Sequence, residues 1–397
     1  MKELFLLDPD ITFLNHGSFG ATPRPVFESY QRWQRELECQ PVEFLGRRSD
    51  ELLNFARAKL ADYLGTSRDN LVFVTNATLG VNIMARSLAL GSGDEVLASN
   101  HEYGALDRTW GFLSQQSGFK YINQRVSLPV KSVDQWVQEF WDAVNPNTRV
   151  IFLSHITSPT AMIFPVEEIC RRARQQGILT VIDGAHAPGQ LDLALDTLGA
   201  DFYTGNLHKW LCATKGAAFL YARSEVQHLV QPLIVSWGWQ SDNPGPSPFI
   251  DWQQWTGTRD ISAFLAVPDA IDFQAAHNWR AVRESCHALA SDLRQRVTAL
   301  TGLEALYPDS PRWYRQMGTV PLPSSVDIND LKIKLYDGYK IEVPLIDWNG
   351  YKLIRFSLQA YNSAEDVLAL EQALKTLLPG KHNFTVSSSK EGTSWKK

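Results

Sequence analysis

The sequence predicts an α/β protein: a mostly parallel sheet covered by helices in a large domain, followed by a smaller α+β domain. Two observations carry this prediction. Short continuous apolar runs such as Leu71-Val72-Phe73-Val74 and Val150-Ile151-Phe152-Leu153 alternate with amphipathic stretches of helical length. That alternation is the mark of βαβ units whose strands are buried on both faces. The chain also has 397 residues, more than one hydrophobic core supports, and its pattern changes beyond residue 260.

The elements follow in order. After a short N-terminal arm, residues 25–40 and 47–64 read as helices, the second ending at Gly65 as a C-cap. Strands are expected at 71–74, 94–98, 150–154, 178–182, 201–204 and 217–221. Helices are expected from Asn76-Ala77-Thr78 to residue 90, at 105–116, and at 166–176 with Gly177 as the stop. From 231 to 258 the pattern breaks into an aromatic, irregular segment holding Trp237, Trp239, Trp252 and Trp255. Loops of that length are usually functional or used in oligomer contacts. Helices at 262–276 and 279–302 follow. Short strands at 317–320, 341–343 and 353–357 then alternate with helices at 328–336 and 363–378. The expected division is an arm and helix over 1–45 that joins the small domain, a large domain over 46–260, a small domain over 261–380, and a disordered polar tail over 381–397.

Composition narrows the function. Hydrophobic residues make up 44%, charged residues 20%, and the net charge is −5 with no basic block, which argues against nucleic acid as partner. Cysteines at 39, 170, 212 and 286 show no C-x-x-C spacing, so neither a disulfide framework nor a zinc site is expected, and no other metal site is. A reducing, cytoplasmic setting fits them. No signal peptide is read at the N-terminus, and no run of 18 apolar residues predicts a membrane span.

In an open parallel sheet, ligands sit outside the carboxyl ends of the strands. Asp183 ends an apolar strand there, and the pair His208-Lys209 follows the next one. A lysine amine beside a carboxylate is what pyridoxal phosphate requires: the amine forms a Schiff base, and the carboxylate keeps the pyridinium nitrogen protonated. Three further groups converge on the same edge. Asn76, Ala77 and Thr78 start a helix, where N–H groups and a hydroxyl suit a phosphate. His101 and Tyr103 follow the next strand, and either would stack on a ring or move a proton. Ser158 and His186 are placed to bond a ring oxygen.

Taken in order, these blocks resemble the class V aminotransferase family of fold-type I pyridoxal phosphate enzymes. The segments Asn15-His16-Gly17-Ser18-Phe19-Gly20, His101-Glu102-Tyr103-Gly104-Ala105 and Asp183-Gly184-Ala185-His186-Ala187-Pro188-Gly189 look like its isopenicillin N epimerase-like branch, which also holds hercynylcysteine sulfoxide lyase-like enzymes. The resemblance implies a seven-stranded sheet in the large domain. It implies Lys209 as the Schiff-base lysine, Asp183 on the pyridinium nitrogen, and Ala77, Thr78, Asn206 and His208 around the phosphate. It implies Arg355 as the grip on the substrate carboxylate, with Asn15, His16 and Arg47 shaping the substrate pocket. Gly257 and Thr258 would reach the phosphate of a neighbouring subunit, which implies a homodimer with shared sites.

The reaction stays open at this level between epimerisation, C–S lysis and transamination. A cysteine desulfurase would need a mobile nucleophilic cysteine shortly before the arginine, and none lies between Met317 and Arg355. A descendant without catalysis would have no need of Asp183, Lys209 and Arg355 together. A nucleotide-binding enzyme would need a glycine-rich run after a strand, which the chain lacks.

Overall fold

The computed structural model describes residues 1–378. The expected polar tail, 381–397, lies outside the described residues. The first two long helices are α1 (Arg24–Cys39) and α2 (Ser49–Leu64), the latter preceded by a π-helical turn at Phe44–Arg48 and closed by Gly65 at φ +63°. The large sheet has seven strands: β1 (Leu71–Val74), β2 (Glu95–Ser99), β3 (Lys120–Gln124), β4 (Thr148–Ser154), β5 (Leu179–Asp183), β6 (Phe202–Asn206) and β7 (Ala218–Ala222). Their order is β1-β7-β6-β5-β4-β2-β3. All neighbours from β6 to β3 pair in parallel; β7 runs against both its neighbours.

Sequence and structure part in one place in this sheet. Strand β3 is not expected from the sequence, because an edge strand with only one paired side carries polar residues and no continuous apolar run. The helix at Val133–Trp141 that follows is also missed, although Ser132 caps it by accepting from Gln135 N at 3.1 Å and Trp136, Val137 and Phe140 are buried on one face. The helix expected at 262–276 is broken at Ala266, and Val267–Ala276 restarts with Pro268 in its first turn. Within the irregular aromatic segment, Pro248–Gln254 forms a helix capped by Ser247.

The smaller domain holds β8 (Met317–Leu322), β9 (Leu345–Trp348) and β10 (Tyr351–Ser357) as an antiparallel sheet in the order β9-β10-β8. The N-terminal arm is stitched to it. Thr12–Phe13 pairs in parallel with Ile341–Glu342, and Ser357 N donates to Leu14 O at 2.8 Å.

What places the site is the alignment of strand ends. Ser154 at the end of β4 lies opposite Asp183 at the end of β5, which lies opposite Thr204 on β6. The helix α3 (Ala77–Ser87) packs onto that edge through Gly80, where an added Cβ would meet Thr204 Oγ1 at 2.3 Å. Gly80→Val is therefore expected to push α3 off the sheet and cost about 1–3 kcal/mol of stability. A thermal midpoint equal to that of the wild type would contradict this packing.

Candidate active site

The strand ends open into a cavity of about 540 Å³, bounded by the N-terminus of α3, the carboxyl ends of β4 to β6, the loop after β6, and Arg355 from the small domain. That volume falls in the range of small-molecule sites. Asp183 stands at its base. Ala185 N donates to Asp183 Oδ1 at 2.9 Å, and among the described residues nothing donates to Oδ2. Burial pushes this carboxyl up from its ordinary value, against the Ala185 N–H and the Lys209 charge. A cationic ring nitrogen at Oδ2 would reverse that direction.

Lys209 projects from the turn after β6. Burial, with the nearby Arg355 charge, lowers its amine to about 8, and Asp183 opposes this. Its Nζ lies 3.2 Å from His186 Nε2. Gly20, at φ +73°, presses against this turn so closely that a Cβ would meet His208 O at 2.0 Å. A neutral amine is the reactive form toward an aldehyde. Cofactor uptake by the cofactor-free protein is thus expected to quicken as pH rises through about 8 and level off above it. A midpoint near the ordinary lysine value would contradict the burial argument.

At the start of α3, Asn76 caps the helix by accepting from Leu79 N at 2.8 Å. Asn206 Oδ1 takes the Ala77 N–H at 2.9 Å. The N–H of Thr78, which no helical turn can satisfy, and its hydroxyl are left for an anion. His208 donates Nδ1–H to Ala217 O at 3.1 Å, and burial lowers its imidazole to about 4. Its Nε2 would donate to a phosphate only as the imidazolium, a form an adjacent dianion favours.

Arg355, on β10, is buried and has no acidic partner among the described residues. Its guanidinium donates to Ser158 O at 2.5 Å, Ser158 Oγ at 3.2 Å and Ser18 Oγ at 3.3 Å, and burial lowers it to about 10. A carboxylate would complement a buried cation that has only neutral partners. Tyr103, at the start of the helix Gly104–Ser117, lines the same cavity at 46% exposure.

Four expected site residues lie elsewhere. His101 is enclosed, with Nδ1 2.9 Å from Thr160 Oγ1 and its ring 4.4 Å from that of Trp348, so of the two aromatic candidates only Tyr103 faces the cavity. His16 lies behind the lysine: its Nε2–H donates to Lys209 O at 2.9 Å, and Nδ1 accepts from Tyr361 OH at 3.0 Å. Asn15 donates to Glu342 Oε1 at 2.8 Å and ties the arm to the small domain. Arg47 is exposed on the π-helical turn, away from the cavity. From the motif around His16, the residues that do reach the cavity are Gly17, Ser18 and Phe19. Gly257 and Thr258 do not line the cavity of their own chain.

A free carboxylate oxygen, a half-buried lysine of lowered basicity and an open helix N-terminus thus meet in one cavity, the donor set a phosphorylated pyridine aldehyde requires. Residues 15–370 match the family model described as Aminotransferase class-V. The chain belongs to the class V aminotransferase family. It is 38% identical to an isopenicillin N epimerase of Amycolatopsis lactamdurans over 95% of this chain and 97% of the relative, and 34% identical to that of Streptomyces clavuligerus over 94% and 96%. A hercynylcysteine sulfoxide lyase of Schizosaccharomyces pombe is 22% identical over 94% of this chain and 96% of its own. In fold the chain is similar to the cystine C-S lyase C-DES, with a TM-score of 0.83 at 19% identity over 94% of this chain and 99% of that one. The class V member described here is a pyridoxal phosphate-dependent enzyme acting at the α-carbon of an amino acid. Among the described residues no helix is long and apolar enough to cross a membrane.

Proposed function

We propose that the protein is an amino-acid epimerase that inverts the α-carbon. The observation that supports this most is likeness over nearly the full chain to two isopenicillin N epimerases, at 38% and 34% identity, joined to a cavity that has an amine and a phenol but no thiol in its lining. In this reading Arg355 holds the substrate carboxylate. Lys209 takes the α-proton from one face. Tyr103 returns a proton from the other, and an epimerase needs such a second group. Asp183 holds a positive charge on the ring nitrogen; Thr78, Asn206 and His208 hold the phosphate; His186 and Ser158 lie toward the ring oxygen. Bound there, pyridoxal phosphate supplies the electron sink that stabilises the charge left when the proton departs.

The persulfide route of a desulfurase has no support in the site. Cys170, Cys212 and Cys286 are buried in the core, and Cys39 is exposed on α1. The reading extends to a homodimer in which Gly257 and Thr258 serve the partner's cavity, and to a reducing cytoplasm, which the four free cysteines fit. Proton NMR in D2O on the loaded enzyme, with a panel of L-amino acids and cysteine S-oxides, tests it. Loss of the α-proton signal with the side chain retained, together with appearance of the D-isomer on a chiral column, is the expected result. Pyruvate without the D-isomer would replace the reading with β-elimination.

A further inference from the structure

Trp210 follows the lysine directly and has no part in the roles above. It is fully buried, packed among Ile156, Ala161 and Met317, with its carbonyl held by Gln274 Nε2 at 2.8 Å. Its indole points at His186: Trp210 Nε1 lies 3.2 Å from His186 Nδ1, while His186 Nε2 lies 3.2 Å from Lys209 Nζ. An indole N–H can only donate. His186 Nδ1 must therefore be the bare, accepting nitrogen. In a neutral imidazole the proton then resides on Nε2, the atom that faces Lys209 and the cavity.

We infer that Trp210 is a positioning residue that locks His186 in the Nε2–H tautomer, making His186 an obligate donor toward Lys209 and toward an acceptor oxygen of the bound cofactor. An ammonium has no lone pair to receive that N–H, so the contact favours the free amine of Lys209, in the same direction as its burial. The charges around the imidazole act in the same direction: Lys209, Arg355, His16 and His208 all disfavour a second proton on it, on top of its burial. His186 is thereby excluded as the base that removes the substrate proton, which leaves that role to Lys209. The tautomer assignment needs no assumption about the reaction; only its consequence for turnover rests on the proposed epimerase activity.

The test is long-range proton–nitrogen NMR on cofactor-free protein labelled with 15N at its nine histidines. His186→Gln identifies the signals by their loss. The wild type is expected to show a protonated Nε2 and a bare Nδ1 at His186. A protonated Nδ1, or an imidazolium at neutral pH, would overturn the inference without any need of a variant. Trp210→Phe keeps an aromatic filling and removes the donor. In it the tautomers are expected to mix, and the midpoint of cofactor uptake is expected to move above the wild-type value. In the loaded enzyme kcat for α-proton exchange should fall about 10- to 100-fold, the scale of other orienting partners, with KM within about twofold. Retention of the pure Nε2–H tautomer in Trp210→Phe would equally overturn the inference, whatever the reaction proves to be.

Discussion

Lys209→Ala is expected to lower the rate of α-proton exchange by at least about a thousandfold. A positioned base contributes roughly 10²–10⁴ in rate, and here the same amine is also the covalent anchor of the cofactor. Among the described residues no other lysine lines the cavity to replace it. The fold should survive, because its Nζ has His186 as sole hydrogen-bond partner among the described residues. Loss of a half-buried group of lowered basicity does not weaken the core. The measurement is exchange by NMR beside a thermal melt. A variant that melts like the wild type and still exchanges the α-proton would remove Lys209 from the chemistry.

Arg355→Leu is expected to separate stability from function. The guanidinium is buried against two serines and a backbone carbonyl, with no acid among the described residues to offset its desolvation. An apolar side chain of similar reach removes that penalty, so the thermal midpoint should stay level or rise. Substrate recognition should suffer, because truncating one side of a buried charge pair costs about 2–5 kcal/mol. That corresponds to a fall in kcat/KM of roughly 30-fold or more, carried mainly by KM. A lower midpoint with unchanged KM would assign Arg355 to the fold and not to the substrate.

The large domain was legible because its central strands are buried on both faces and write themselves as apolar runs: Val150, Ile151, Phe152 and Leu153 on β4 are all fully enclosed. Strand β3 was not, because edge position removes the pressure for apolar residues on Lys120 and Asn123. Within the site, residues at strand ends or helix starts were readable, since topology alone brings Asp183, Thr78 and Lys209 to one edge. Residues whose direction depends on packing were not. Nothing in the order Asn15-His16-Gly17-Ser18 says that His16 turns inward to Lys209 O while Ser18 faces Arg355. Trp210 carried no signal at all: in sequence it is one apolar residue after a lysine, and only the three-dimensional approach to His186 reveals its N–H as a constraint.

Pyridoxal phosphate in the cavity at the ends of β4 to β6 would be joined to Lys209. Borohydride reduction of the loaded protein, followed by proteolysis and mass spectrometry of the peptides, tests it most directly. One pyridoxyl group per chain is expected, on the peptide that contains Lys209. A label on Lys215 or on another lysine, or none at all, would contradict it.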